Sequence, residues 1–136
     1  MSERNIIEYV TIANTGNTTD FGDLSASVKV LAGLSSATRG VVAGGYDGSN
    51  TINTIEYVTI ANTGNATDFG DLTVARNELA AASSSIRGTF AGGNESLSNV
   101  IDYITIASTG NASDFGDLLS QQYGIRGCSN AHGGIA

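Results

Sequence analysis

The sequence has very few of the residues on which several protein classes depend. Its 136 residues include one cysteine, one histidine, no proline and no tryptophan. One cysteine cannot form a disulfide framework, and one cysteine with one histidine cannot complete a zinc site. Six basic residues against 13 acidic ones give a net charge of −7, which excludes the basic surface of a nucleic-acid-binding protein. We therefore expect no cofactor and no nucleic-acid partner.

Long apolar stretches are lacking as well. No run approaches the ~20 apolar residues of a membrane-spanning helix, and the N-terminal stretch MSERNIIEYV lacks a basic region followed by an apolar one. These absences predict no membrane insertion and no secretory signal. Hydrophobic residues nevertheless make up 40% of the chain, many of them isoleucine and valine, so we expect a folded all-β protein despite its 18 glycines.

One block of sequence occurs three times. Residues 7–24 read IEYVTIANTGNTTDFGDL, residues 55–72 differ from them at one position in 18, and residues 101–118 read IDYITIASTGNASDFGDL. The copies are spaced by 48 and then 46 residues. Self-similarity at such a period indicates a repeat architecture, in which each unit buries its apolar surface against its neighbours.

A second shared segment lies between these blocks. It reads LAGLSSATRGVVAGG at 31–45 and LAAASSSIRGTFAGG at 79–93, and residues 125–136 continue it as IRGCSNAHGGIA. We therefore treat residues 1–136 as a single repeat domain. Its repeats lie at about 7–45, 55–93 and 101–136.

Each repeat predicts four short strands and essentially no helix. Isoleucine, valine, tyrosine and threonine favour strands at 7–12, 55–60 and 101–106. The Asn-Thr-Gly-Asn stretch that follows is typical of a turn, because Asn and Gly tolerate positive φ. The other predicted strands lie around Phe21, Phe69 and Phe115, at 31–35 and 79–83, at 40–45 and 88–93, and at 125–129 with a stub at 135–136.

Four strands in about 45–50 residues is the size of one propeller blade, and the pattern resembles the kelch repeat. The matching features are the Gly-Gly pairs that end 41–45 and 89–93, the acid–tyrosine pairs Glu56-Tyr57 and Asp102-Tyr103, and the later aromatics Phe69 and Phe115, where kelch repeats carry tryptophan. More narrowly, TIANTGNATDFGDLTVAR and SSSIRGTFAGG resemble kelch-like virion proteins of marine tailed bacteriophages. The resemblance implies kelch-type β-propeller blades of four antiparallel strands. We expect the Gly-Gly pairs to lie where close approach leaves no room for a Cβ.

The predicted strands number 11, which is about three blades, two complete and one split. Propellers use ~4–8 blades, so one chain does not close a ring, and an open stack would expose apolar faces and unpaired edges. We expect a ring closed by oligomerisation. A homodimer with six blades, two of them split between the chains, is the simplest form. The alternative is a fragment or engineered piece of a larger propeller.

Differences between the repeats concentrate at one face of the predicted ring. The loop between the third and fourth strands hardly changes, whereas the loop after Gly-Gly and the segment before the next first strand both vary. Loops alternate between the two ends of an antiparallel meander, so the variable segments share one face. Tyrosine with Asn, Asp and Gln suits hydroxyl-rich ligands such as cell-surface glycans, and drift in unimportant loops is the alternative. The candidate ligand-binding residues are Tyr46, Asp47, Asn50, Arg76, Asn77, Asn94, Glu95, Gln121, Gln122 and Tyr123.

Aspartate pairs recur in every repeat and are the candidates for a metal site. Carboxylates beside Asn and Thr oxygens suit Ca²⁺, but the spacing is not that of an EF-hand and no glutamate supplies a bidentate ligand. We favour a turn in which each carboxylate accepts backbone N–H groups, and so predict no metal. A catalytic acid pair is needed once per protein, not once per repeat. The pairs are Asp20 and Asp23, Asp68 and Asp71, and Asp114 and Asp117.

The remaining chemistry-bearing residues suggest structural tasks. Arg39 and Arg87 hold equivalent positions, and we expect them to form ion pairs with the aspartates or to line a channel. Cys128 and His132 lie four residues apart without a third catalytic member. We expect Cys128 to be a buried small residue and no catalytic residues in the chain.

Together these features predict a non-enzymatic structural or binding protein. The resemblance implies a virion- or tail-associated homo-oligomer that presents a ligand- or receptor-binding face, with other virion proteins or cell-surface glycans as partners. Its localisation would then be the virion, and otherwise the cytoplasm. The alternatives are a free-standing lectin-like propeller and an oxidase of the kelch type, for whose copper site one histidine is too few.

Overall fold

Ten β-strands make up the regular structure of the chain. The computed structural model describes residues 3–94 and 98–129, and no helix occurs within them. The strands are β1 (Arg4–Tyr9), β2 (Thr19–Val28), β3 (Ala32–Ser35), β4 (Arg39–Ala43), β5 (Thr54–Thr59), β6 (Thr67–Asp71), β7 (Ala80–Ser83), β8 (Arg87–Ala91), β9 (Val100–Thr105) and β10 (Ser113–Asp117). The predicted all-β class is confirmed for these residues. None of them belongs to a helix long and apolar enough to cross a membrane.

The strands form three antiparallel sheets in chain order. β1 pairs with β2 in the first sheet, β3 to β6 form a four-stranded meander that we call the second sheet, and β7 to β10 form the third sheet in the same way. Each four-stranded sheet holds one strand set of the sequence repeat, as predicted. None of the three sheets closes on itself within the described residues.

The hydrophobic core lies where the second sheet meets the third. β3 lies against β7, and alternate residues of β4, Val41 and Ala43, are buried while Val42 between them is half-buried. That period of two is expected for a strand with one face in the core. The core cluster consists of Ala32, Val41, Ala43, Ile55, Phe69, Leu72, Leu79, Phe90, Ile104 and Ile106.

The strands that lead to the Gly-Gly pairs end two residues earlier than predicted, at Ala43 and Ala91. Gly44 and Gly45 have φ values of +65° and +111°, which take the backbone out of the strand conformation. A Cβ on Gly44 would collide with the carbonyl oxygen of Arg76, in the segment that leads to the next sheet. The predicted close approach at the Gly-Gly pairs is therefore confirmed.

The first sheet differs from the prediction in both strands. β1 spans Arg4–Tyr9 rather than 7–12, which is a shift of three residues at the same length, and β2 runs for ten residues to Val28 instead of forming a short strand around Phe21. Arg4 pairs with Val28, so the shift of β1 accompanies the extension of β2. The predicted pairing of these two segments is otherwise correct.

Residues 125–129 do not form the predicted eleventh strand. In the other repeats this segment pairs with the strand that ends in Gly-Gly, whose counterpart, with the predicted stub 135–136, lies outside the described residues. The segment still runs beside β7, because a Cβ on Gly127 would collide with the carbonyl oxygen of Ala81. Nearby, the backbone N–H of Gly124 donates to the carbonyl of Glu78 over 2.9 Å. Its place in the array is therefore that of a first strand, without the pairing.

Candidate functional site

A β-bulge at phenylalanine recurs in the outermost strand of each sheet. In β6, the residues on either side of Phe69 pair with adjacent residues of β5, so Phe69 has no partner residue of its own. The same register shift occurs at Phe21 in β2 and at Phe115 in β10. Since the extra residue of a bulge stays unpaired within the sheet, its carbonyl oxygen is left to accept a hydrogen bond from elsewhere.

The Thr-Gly-Asn turn of the following sheet supplies that hydrogen bond. The backbone N–H of Gly64 donates to the carbonyl of Phe21 over 2.7 Å, and that of Gly110 donates to the carbonyl of Phe69 over 2.7 Å. We call the contacts between a bulged Phe-Gly-Asp strand and the next sheet's Thr-Gly-Asn turn an inter-sheet joint. The first joint links the first and second sheets, and the second joint links the second and third.

The asparagine of each turn holds the aspartate of the preceding sheet. In the first joint, the Asn65 side-chain oxygen accepts the backbone N–H of Asp23 over 3.0 Å, and the residue after Asn65 donates its N–H to the Asp23 carbonyl over 2.8 Å. The second joint has both bonds at the same lengths, between Asn111, the residue after it and Asp71. Each joint thus adds a short backbone ladder between sheets.

The acid of each acid–tyrosine pair completes the joint. Glu56 accepts the backbone N–H of Ser25 over 3.0 Å. Asp102 accepts both the backbone N–H and the hydroxyl of Thr73, over 3.2 and 2.6 Å. Both carboxyl groups are buried, so their polar atoms need such donors. The repeated acid therefore binds the neighbouring sheet.

Glycine is required at the bulge for two reasons. The φ angle is +150° at Gly22 and +143° at Gly70, in a region that L residues rarely adopt. A Cβ on either residue would also collide with the carbonyl group of the opposing turn, at Gly64 or Gly110. Backbone conformation and space thus both favour glycine where the two sheets meet.

A buried ion pair distinguishes the second joint from the first. Arg76 is 1% exposed and Asp102 is 0% exposed, and Arg76 Nη2 lies 2.6 Å from Asp102 Oδ2. Arg76 Nη1 donates to the carbonyls of Gly92 and Val100 over 2.8 Å each, while its Nε has no hydrogen-bond partner. Burial lowers the pKa of Arg76, and the attraction to Asp102 opposes that shift. The ligand-binding role predicted for Arg76 needs an exposed guanidinium, and the structure places this one in the interior.

Arg39 and Arg87 lie over tyrosine rings of the neighbouring strand. The guanidinium carbon of Arg39 is 4.4 Å from the ring centre of Tyr57, and that of Arg87 is 4.6 Å from Tyr103. Within the described residues neither arginine pairs with an aspartate, so the predicted ion pairs are wrong. Cation–π contacts take their place. Arg39 pairs with Thr59 and Arg87 with Thr105, so each tyrosine lies diagonally across from its arginine, within reach of the guanidinium.

The residues predicted to bind ligand differ in their exposure. Asn50, Gln121, Gln122 and Tyr123 are exposed, Tyr46, Asp47, Asn77 and Asn94 are half-buried, Arg76 is buried, and Glu95 lies outside the described residues. All the described members except Arg76 therefore reach the surface. Tyr123 offers the largest accessible ring, at 54% exposure.

Contacts between repeats bring part of this set together. The side-chain amide of Asn77 donates to the hydroxyl of Thr51 over 2.9 Å, and the backbones of Asn77 and Asn94 form an antiparallel bridge. The carbonyl of Gln122 accepts the backbone N–H of Gly93 over 2.7 Å. These contacts join, in succession, the loop after β4, the segment after β6, the described part of the loop after β8 and the segment after β10. We call this row of segments, which lies at one end of the strands, the variable edge.

Asp47 serves the turn in which it lies. Its carboxylate accepts the backbone N–H of Asn50 over 2.7 Å and that of Ser49 over 2.8 Å. These two bonds, that from Asn50 first, lower the pKa of Asp47 from its ordinary value of 3.8. The Tyr46 hydroxyl donates to the carbonyl of Gly48 in the same turn, over 3.2 Å. The turn is thus ordered by its own side chains.

The aspartate pairs do not assemble into a metal site in the part of the chain that the structure describes. No three His, Cys, Asp or Glu side chains cluster there in a way that could hold an ion. Asp114 accepts the N–H of Gly116 over 3.1 Å, so its carboxylate binds a backbone N–H as expected, but it does so at the bulge of β10 rather than in a turn. Cys128 is exposed, so the prediction of a buried residue is wrong, and His132 lies outside the described residues.

The joint residues are the ones that sequence reasoning missed. Asn65 and Asn111 were assigned by the pattern only to turns, and the acid–tyrosine pairs only to a strand. Their signal was present, because both occur in each repeat with almost no change. What the sequence did not show is their partner, since Asn65 bonds a residue 42 positions away.

Comparison with protein-family models gives no match for this chain, and comparison with curated protein sequences gives none either.

Proposed function

We propose that the chain is a non-enzymatic binding protein of the β-propeller type, in which each four-stranded sheet is a blade. On this proposal the chain associates with further copies of itself into a ring, and the ring presents the variable edge to a ligand or receptor. Repetition of weak sites on one rigid body raises the effective concentration of each further site, so avidity exceeds the affinity of a single site.

One observation carries the proposal: constant and variable segments are separated between the two edges of the sheets. The constant Thr-Gly-Asn turns lie at one edge, where those at 63–65 and 109–111 are engaged in joints through hydrogen bonds of 2.7 to 3.0 Å. The variable loops lie at the other edge. Binding residues are often found on loops that a rigid scaffold holds in place. A scaffold with repeated joints and differing loops suits recognition.

The chemistry of the variable edge favours a hydroxyl-rich ligand. The exposed amide side chain of Gln121 can both donate and accept hydrogen bonds, and the ring of Tyr123 offers a flat apolar surface with a polar tip. Sugars present the matching combination of hydroxyl groups and apolar ring faces. We therefore propose glycans as the ligand class, and the kelch-like resemblance favours display on a phage particle.

Binding to a glycan array tests the ligand class. We expect the wild type to bind a defined subset of glycans and Tyr123→Ala to lower that binding about tenfold, since the variant loses the stacking surface. Ser85→Ala is the matched control, because Ser85 is exposed in the β7–β8 turn at the opposite edge. Binding that Tyr123→Ala leaves unchanged, or no binding to any glycan, would contradict the assignment.

Co-purification tests the proposed location. If the chain is a virion component, it should remain with purified particles after washing at a salt concentration that removes loosely attached protein. Its absence from particles, together with glycan binding in solution, would favour the free-standing lectin-like form over the virion form.

A further inference from the structure

The third sheet presents one half of a further inter-sheet joint. β10 carries the same bulge at Phe115, and Gly116 has a φ of +141°, close to the values at Gly22 and Gly70. Phe115 is 53% exposed, whereas Phe21 and Phe69 are 9% and 2% exposed. Within the described residues a Cβ on Gly116 meets no atom within 4 Å, so no turn covers this strand.

The first sheet presents the other half. Its Thr-Gly-Asn turn at 15–17 is exposed, and Glu8, at the position of Glu56 and Asp102, is exposed as well. The third sheet has the equivalent turn at 109–111, and the cavity beside that turn is lined partly by Phe69 of the preceding sheet. The equivalent cavity of the first sheet is lined by first-sheet residues and the adjoining turn, Tyr9, Val10, Thr11, Asn14, Thr15, Gly16, Asn17 and Thr19. Its lining is that of a joint without the phenylalanine of a preceding sheet.

We infer that these two halves bind each other between copies of the chain, and that this third joint is the interface of the proposed oligomer. Gly16 of a second copy would donate its N–H to the Phe115 carbonyl, and Asn17 of that copy would accept the N–H of Asp117. The sequences on both sides repeat those of the two joints inside the chain almost letter for letter. The inference rests on the proposed self-association and names its surface.

The same approach would bury apolar surface that is exposed in the single chain. Leu119, at the position of Thr73, is fully exposed, and its backbone N–H would meet Glu8 of the second copy as Thr73 meets Asp102. Burying large apolar side chains such as Phe115 and Leu119 supplies the favourable free energy that a few hydrogen bonds alone do not.

A groove between the first and second sheets extends this interface. It has a volume of about 700 Å³ and is lined by apolar side chains that include Ile6, Leu24 and Leu34. Inside the chain, β7 lies beside β3 and residues 125–129 run beside β7. Continuing this order, residues 125–129 of one copy would lie beside β3 of the next copy, in the groove.

The joint is heterologous, because each copy offers a different surface at its two ends. Such contacts form open filaments unless the rotation closes them, and closure with two copies gives two equivalent joints. We expect a closed dimer of twice 13.8 kDa. Two joints acting together also make the association steep in its response to a single substitution.

Sedimentation equilibrium of the full chain at micromolar concentration tests the joint. Phe115→Ser should weaken association about tenfold for each joint, and therefore about a hundredfold for a dimer closed by two. Asn17→Ala should weaken it several-fold for each joint, through one lost hydrogen bond. Asn17 is exposed in its turn, so this variant tests the joint without depending on the fold of β10.

Asn65→Ala is the matched control. It removes the equivalent asparagine hydrogen bond from the first joint, which lies within one chain. We therefore expect a lower free energy of unfolding and an unchanged mass of the oligomer. A mixed pair of Asn17→Ala and Phe115→Ser chains keeps one intact joint and carries both changes in the other. It should therefore associate more tightly than Phe115→Ser chains alone, and far more tightly than chains that carry both changes.

A wild-type chain that stays monomeric would overturn both the joint and the proposed self-association. A wild-type oligomer that Asn17→Ala and Phe115→Ser leave unchanged would overturn the joint alone and leave the proposed function standing. Retained far-ultraviolet circular dichroism shows that a dissociated variant is folded.

Discussion

Asp102→Asn should be among the most destabilising conservative substitutions in the chain. The change keeps the side-chain size and an oxygen acceptor for Thr73 but removes the negative charge beside Arg76. The guanidinium is 1% exposed and its Nη2 lies 2.6 Å from the carboxylate, so water cannot replace the lost charge without local opening. Removing one partner of a buried ion pair costs about 3–5 kcal/mol, because the other charge stays buried and uncompensated.

Glu56→Gln is the matched control, since Glu56 holds the same position in the first joint. Glu56 is buried and accepts one backbone N–H, from Ser25 over 3.0 Å. In the first joint the position of Arg76 is held by Val28, which carries no charge. No buried cation therefore loses its partner when Glu56 becomes neutral. The variant loses only the extra strength of a charged acceptor, about 1 kcal/mol. The difference between the two variants, about 2–4 kcal/mol, measures the buried arginine.

Urea unfolding followed by circular dichroism measures both free energies of unfolding. All variants must be compared at one protein concentration, because self-association would add to the apparent stability. With slopes of about 1–3 kcal/mol per molar urea, the expected difference of about 2–4 kcal/mol shifts the midpoint by roughly 0.7–4 M.

A double variant, Asp102→Asn with Arg76→Met, completes the test. Because both charges are gone, the double variant should be more stable than Asp102→Asn alone, although it loses more contacts. Equal losses for Asp102→Asn and Glu56→Gln, or a double variant that loses the sum of the single losses, would refute the reasoning.

Three further predictions concern single positions. Gly70→Ala should cost ~3 kcal/mol or more, because its Cβ would collide with the backbone of Gly110 at a φ of +143°; thermal unfolding with a loss below ~1 kcal/mol would contradict the joint. Val30→Gly should raise stability by about 0.5–1 kcal/mol, since Val30 has a φ of +54° where the third repeat has Gly124 at +64°, and an unchanged midpoint would count against backbone strain there. The carboxyl pKa of Asp47 lies below its ordinary value of 3.8, so the ionised carboxylate stabilises the folded turn above pH 3.8. That stabilisation is lost as the pH falls through the lower pKa of the folded state. A titration by nuclear magnetic resonance with a midpoint at or above 3.8 would contradict the lowered pKa.

Local patterns predicted the strands and their order because each signal lies within one repeat. Branched and aromatic residues marked β5 and β9, and the Gly-Gly pairs marked the ends of β4 and β8. Pairing between consecutive strands follows from short connections, so the two meanders were accessible from sequence alone. The exact strand ends were not, because positive φ at Gly44 is a property of the tertiary contact with Arg76.

The joints were less accessible because their partners are far apart in sequence. The Phe-Gly-Asp stretch looks like a strand end, and only the register shift opposite Phe69 shows that its carbonyl is available to Gly110. Residues 125–129 show the reverse case. Their composition suits a strand, yet strand pairing needs a partner, and propensity alone does not supply one.

Arg76 shows why variation between repeats is a poor guide to exposure. The segment before β7 varies between the repeats, and that variation predicts a ligand-binding face that includes Arg76. Equivalent positions instead hold Val28, which is buried, Arg76, which is buried, and Gln122, which is exposed. Asp102 lies opposite Arg76 across the second joint, so that this variable position belongs to the packing between sheets as well as to an outer edge. Gln122 is exposed where no further sheet follows it in the described chain. If the third joint forms between copies, Gln122 should become buried near Glu8 of the second copy, and hydrogen exchange of its side-chain amide should slow on association but not in Phe115→Ser. Equal exchange rates of the Gln122 amide in the wild type and in Phe115→Ser would show that Gln122 stays on a free surface in the oligomer.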